Sequence, residues 1–143
     1  MADNMEPSER LGRNLEPGEI RARLSALLTP LNEIDWAYLF GSFLAGPGYH
    51  DIDVGVYLSP PLPRKQVFDY EMKLSVGLTM ALHTTVDVHV LNDAPMGFQA
   101  SALQGEPLLV RDEIRLTDFI EGVGSAIAEF AHHAEDYLQE VLT

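Results

Sequence analysis

The 143 residues, 46% of them hydrophobic, are enough for one domain with a real core and too apolar for a wholly disordered chain. A formal net charge of −13 repels nucleic-acid phosphate and anionic membrane, which argues against direct binding to either. With no cysteine, disulfides and thiolate metal sites are excluded.

Residues 1–10 show neither the basic start nor the apolar stretch of a signal peptide. No apolar run approaches the roughly 20 residues that span a bilayer, so the expected location is the cytoplasm. The acidity serves solubility, and its functional reading is a basic protein partner.

Residues 1–16 are polar and contain Pro7 and Gly12, and are expected to form a loose arm before a single domain over 17–143. From Pro17, the residues Ile20, Leu24, Leu27, Leu28 and Leu31 recur at helical spacing. Pro17 suits the first helical position, and Pro30 stops the helix by Thr29. The aromatic run Trp36-Ala37-Tyr38-Leu39-Phe40 predicts a buried strand, and Gly41 to His50 a loop with one helical turn.

Asp51 to Leu58 alternates. Ile52, Val54, Val56 and Leu58 make one face, and Asp51, Asp53, Gly55 and Tyr57 the other. Ser59-Pro60-Pro61-Leu62-Pro63 ends that strand. A helix over Arg64 to Leu82 follows, with Val67, Tyr70, Leu74, Leu78 and Ala81 on its inner stripe. Thr85 to Leu91 alternates again, with Val86, Val88 and Val90 opposite Asp87 and His89. A short helix over Gly97 to Gln104 and an edge strand over Pro107 to Val110 lead into a long helical tail from Ile114 to Leu142. Gly122 and Gly124 are expected to kink or break that tail.

Chemistry concentrates where these elements meet. If strands 51–58 and 85–91 are neighbours with polar faces aligned, Asp51, Asp53 and Asp87 converge. Three carboxylates so placed repel, and divalent magnesium relieves the conflict because hard cations prefer oxygen ligands. Asp51 and Asp53 would then bind metal, with Asp87 either a ligand of a second ion or the base for an attacking hydroxyl. Gly41 lets backbone amides approach a phosphate, and the Ser42 hydroxyl adds a donor.

The order strand, Gly41-Ser42, loop, Asp51-Ile52-Asp53, helix, strand with Asp87 resembles the nucleotidyltransferase fold of the polymerase-β type, and in particular its minimal nucleotidyltransferase (MNT) branch. The resemblance implies an α/β (α+β) domain: a small mixed sheet flanked by helices, with a long C-terminal helical segment. It further implies Mg-ATP with two magnesium ions, transfer of AMP, Gly41 and Ser42 on the triphosphate, and Asp51, Asp53 and Asp87 as the metal-binding, catalytic acids. Members of this branch are often antitoxins of HEPN toxins, helical ribonucleases that they are thought to adenylylate on a tyrosine. A HEPN toxin is therefore the implied partner, in a hetero-oligomer. Two alternatives are a non-catalytic antitoxin that neutralises by binding, and an adenylyltransferase for small molecules of the aminoglycoside type. The chain departs from the family pattern in a shorter segment between Ser42 and Asp51 and in Phe43-Leu44 where many members carry arginine.

Other polar residues read more plainly. His132 and His133 point about 100° apart and are expected to pair with Asp136 and Glu129 rather than bind a metal. His89 is expected to rim the pocket, His50 to lie at its mouth, and Tyr57 to pack. Arg64 and Lys65 are expected to form a solvated helix end.

Overall fold

A computed structural model describes residues 15–45 and 51–142. Most of the expected N-terminal arm, together with His50, lies outside the described residues. Leu15, at the end of that arm, packs against the core.

Helix α1 (Pro17–Leu28) begins on its proline and buries Ile20, Leu24 and Leu28, one side of its helical period. Strand β1 (Ile34–Phe40) is buried at every position, as expected of an aromatic run covered on both faces. A 3-10 turn over Gly41–Ala45 follows. Strand β2 (Ile52–Leu58) starts one residue later than its alternation suggests, leaving Asp51 just outside it. Helix α2 (Arg64–Leu82), strand β3 (Val86–Val90), helix α3 (Met96–Leu103), strand β4 (Glu106–Val110) and helix α4 (Glu113–Leu142) complete the order.

The four strands make one mixed sheet in the order β3-β2-β1-β4. Strand β1 is antiparallel to β2 and β4, while β2 and β3 run parallel and are joined through α2. On one face Ala37, Leu39, Val54, Val56, Val86 and Val88 pack under α1 and α2. On the other, Trp36 and Tyr38 pack with Leu116, and Tyr57 and Phe119 lean on them. The rings of Trp36 and Tyr57 stack at 4.0 Å, the packing role expected of Tyr57.

The β3 edge of the sheet is managed by side chains. The outward amides of β3 at Val86, Val88 and Val90 donate to Thr79, Ser75 and Glu71 of α2 at 2.9, 2.8 and 2.8 Å. Three residues at four-residue spacing thus occupy the row of donors that an added strand would need. At the β4 end, Arg111 donates to the carbonyls of Ile34, Thr29 and Leu31, closing the C-terminus of α1.

Helix α4 is a correction. It runs unbroken from Glu113 to Leu142 through Gly122 and Gly124. The residues on either side of those glycines supply continuous helical bonding, and packing of Leu116 and Val123 secures the first half. The glycines cost stability without interrupting the helix.

Candidate active site

Phe40, the last residue of β1, pairs with Asp53 on β2, and Asp53 pairs in turn with Asp87 on β3. Directly opposed residues of parallel strands share a face about 4.8 Å apart, so the two acids stand side by side. Val54, Val86 and Val88 fill the core on the reverse face, so the alternation that buries them turns both acids away from it. Asp53 and Asp87 are half-buried, and Asp51 is exposed.

The turn after β1 completes the arrangement. Gly41 has φ +87°, a left-handed conformation natural to glycine, and faces the Asp53 carboxylate. A β-carbon at Gly41 would overlap Asp53 Oδ2. The Ser42 hydroxyl donates to the main-chain carbonyl of Asp51 at 3.3 Å, tying the turn to the residue before β2. Gly41, Ser42, Asp51 and Asp53 are thereby gathered at one end of the central strands, with Asp87 beside Asp53.

His89 was not expected to bond to an acid. Its Nε2 lies 3.1 Å from Asp53 Oδ1, diagonally across the parallel pair. The imidazole is wedged against Phe98 and Phe40, with ring centroids 5.1 and 5.8 Å away. It holds one oxygen of Asp53 while the other faces Gly41. The sequence carries the signal in its spacing, because His89 shares Asp87's face. Beyond His89 opens a cleft of about 410 Å³ lined by Leu62, Phe68, Asp93, Pro95 and Phe98, so the imidazole is a wall common to the acids and the cleft.

Among the described residues, no three His, Asp or Glu side chains stand close enough to hold one ion. The donor chemistry nonetheless fits a hard cation: two opposed carboxylates, one oxygen of Asp53 free of His89, and a glycine leaving room beside it. His132 and His133 pair with Asp136 and Glu129 at 3.4 and 3.7 Å as expected, and Arg64 and Lys65 are exposed. Phe43, in the place of the family's arginine, is buried. Arg21 lies 5.5 Å from its ring with its guanidinium held by Glu106 at 2.5 Å.

The family described as polymerase beta, nucleotidyltransferase, matches residues 23–114, well over half the chain. The chain belongs to this family. The matched stretch of the nucleotidyltransferase runs from α1 to the start of α4 and contains Gly41, Ser42, Asp51, Asp53 and Asp87. No curated protein sequence matches it. Among solved structures, the toxin–antitoxin MntA-HepT contains a chain 18% identical with a TM-score of 0.65, covering 87% of this chain and 97% of that one. A complex of tri-AMPylated Shewanella oneidensis HEPN toxin with MNT antitoxin gives 20% identity and a TM-score of 0.66, with coverage of 87% and 97%. A toxin–antitoxin structure with AMP-PNP gives 20% and 0.64, with coverage of 86% and 98%. These likenesses establish a shared fold, the mixed sheet with flanking helices and a long terminal helix. Among the described residues no helix is long and apolar enough to cross a membrane.

Proposed function

We propose that this nucleotidyltransferase is an Mg-ATP-dependent adenylyltransferase of the MNT type, transferring AMP to a hydroxyl of a HEPN-type toxin, a tyrosine, and acting as its antitoxin. The observation that carries the reading is Asp53 opposed to Asp87, with Gly41 against the Asp53 carboxylate. The fold shared with chains of a complex of AMPylated HEPN toxin with MNT antitoxin, and of a toxin–antitoxin with AMP-PNP, supports the choice of partner and nucleotide.

In this reading the amides of the Gly41 turn and the Ser42 hydroxyl bind the triphosphate. Asp51, Asp53 and Asp87 would hold magnesium, which when bound neutralises phosphate charge and orients the transferred group. Asp87 also accepts the proton of the acceptor hydroxyl. The hydroxyl oxygen forms a bond to the α-phosphorus, the bond from that phosphorus to the bridging oxygen breaks, and pyrophosphate leaves. His89 keeps Asp53 turned to the glycine.

A second reading is favoured by Phe43. Among the described residues, a buried Phe43 ring and an Arg21 engaged by Glu106 supply no free cation at the turn where many members aim one at the triphosphate. A protein so built neutralises its partner by binding alone. Incubation with labelled ATP, magnesium and the HEPN toxin separates the two. Label on the toxin that Asp53→Asn reduces at least about a hundredfold supports transfer. Absence of label, with neutralisation intact in Asp53→Asn, supports the binder.

A further inference from the structure

Gly41, Asp53 and Asp87 stand in a row across three adjacent strands. The sheet order sets β2 between β1 and β3, and Asp53 is paired with both Phe40 and Asp87. One oxygen of Asp53 faces Gly41 on the β1 side, and the other lies 3.1 Å from His89 Nε2 on the β3 side.

This order fixes the direction of attack. In an in-line displacement the nucleophile enters opposite the leaving oxygen. With the triphosphate held by the Gly41 turn, pyrophosphate departs on the β1 side. The acceptor hydroxyl therefore arrives from the β3 side, past Asp87 and His89.

On that side, where β3 runs into α3, lies the cleft of about 410 Å³ that has His89, Ala94, Pro95 and Phe98 among its walls. The segment that builds it is fixed. Gln99 Nε2 donates to the Leu91 carbonyl at 2.7 Å, and the Asn92 side chain exchanges two hydrogen bonds of 2.8 Å with the main chain of Leu58. The Phe98 ring stands edge-on to Phe40 at 5.6 Å and beside His89 at 5.1 Å.

Reach and charge define what enters. Asp87 and His89 are two residues apart on one strand, roughly 6–7 Å. A hydroxyl that meets Asp87 while its carrier occupies the cleft must sit at the far end of a side chain that crosses His89. Serine and threonine are too short. Among the described residues, the charged side chains lining the cleft are Arg64, Glu71 and Asp93, two acids to one base, which disfavours an anionic body. A neutral aromatic ring suits walls made of Phe98, His89 and Pro95. Because the outward amides of β3 are already engaged by α2, the acceptor is read through this side chain and not by adding a strand.

We infer that the cleft walled by His89, Ala94, Pro95 and Phe98 is the acceptor subsite, taking the ring of a phenol whose hydroxyl meets Asp87. The inference rests on the adenylyltransferase reading and assigns the residues that position its acceptor. The phenol oxygen bonds to the α-phosphorus, its proton passes to Asp87, and pyrophosphate leaves on the Gly41 side.

The test uses the full chain, labelled ATP, magnesium and the cognate HEPN toxin in ribonuclease-inactive form. Ala94→Trp fills the cleft, and Phe98→Leu keeps apolar bulk beside His89 but removes the flat face. At saturating toxin and Mg-ATP, Ala94→Trp should lower the transfer rate on the order of a hundredfold and Phe98→Leu about tenfold. Phe98→Tyr should recover most of the rate lost in Phe98→Leu. The KM for Mg-ATP and the toxin affinity read by titration should keep their wild-type values. Toxin in which serine replaces the labelled tyrosine should take up no label. If Ala94→Trp lowers the melting temperature, the near-isosteric Phe98→Leu decides alone. An unchanged saturated rate overturns the acceptor subsite, whether nothing else moves, the KM for Mg-ATP rises or only toxin affinity falls. A serine acceptor labelled as well as tyrosine also overturns it. Each of these outcomes leaves the proposed function standing. Wild-type chain that is stabilised by Mg-ATP yet labels no toxin removes that function, and the subsite falls with it.

Discussion

Gly41 faces the Asp53 carboxylate so closely that a β-carbon there would stand 3.2 Å from Asp53 Cγ and overlap Oδ2. The turn that would grip a triphosphate and the acid that would hold its cation are therefore one packed unit. Gly41→Ala should cost about 1–3 kcal/mol, because φ +87° strains alanine and the methyl group displaces Asp53. Thermal unfolding measures the loss, and AMP transfer should fall with it. Gly122→Ala is the contrast: a β-carbon there meets nothing within 4 Å, and helix propensity predicts a gain of about 0.5–1 kcal/mol.

His89 acts on Asp53 by orienting it. His89→Ala should leave the melting temperature close to wild type and lower transfer about 10–100-fold, chiefly through a raised KM for Mg-ATP. His89→Gln keeps a donor on the same strand face and should restore part of the activity. Equal loss in both variants would mean that the ring, not its hydrogen bond, matters.

The capped edge of β3 can be opened one donor at a time. Ser75→Ala leaves the Val88 amide without its acceptor, and Thr79→Val does the same for Val86. Each should cost about 1–3 kcal/mol in denaturant unfolding. The double variant should also self-associate with rising concentration, because freed strand edges recruit other strands. Light scattering across a dilution series reads this directly.

Tyr70 makes stability depend on alkaline pH. Burial raises its phenol above the ordinary value of 10, and the hydrogen bond it donates to Glu33 at 2.9 Å, with the nearby carboxylate charge, raises it further. A folded-state pKa above the unfolded one means this contribution is complete below pH 10 and is lost as the pH climbs beyond it. Unfolding free energy should fall more steeply above pH 10 in wild type than in Tyr70→Phe. The variant should be about 0.5–1.5 kcal/mol less stable at neutral pH.

Ion pairing at the far end of the sheet gives a fifth check. Asp35 is buried, its Oδ2 has no hydrogen bond, and the Arg115 guanidinium stands 3.4 Å away. Arg115→Ala should cost about 1–3 kcal/mol by leaving that carboxylate uncompensated, and Asp35→Asn should recover part of the loss in the double variant.

The periodicity of this chain, taken alone, determined which residues make strands and helices and which side of each faces the core. Val86, Val88 and Val90 against Asp87 and His89 is a local alternation, and it fixes the acids' face wherever the strand lies. The pair Asp51 and Asp53 with Asp87, and the Gly41-Ser42 turn ahead of them, were legible for the same reason. The tertiary structure alone decided that β2 and β3 are parallel neighbours in a register that sets Asp53 against Asp87 and brings His89 within reach. It also decided that Glu71, Ser75 and Thr79 cap an edge strand, and that α4 stays whole across two glycines. Side-chain direction repeats every two or three to four residues and is written in adjacent letters. The partnership of β2 and β3 joins residues 34 positions apart, Asp53 and Asp87 among them, and depends on which arrangement buries both apolar faces of the sheet together.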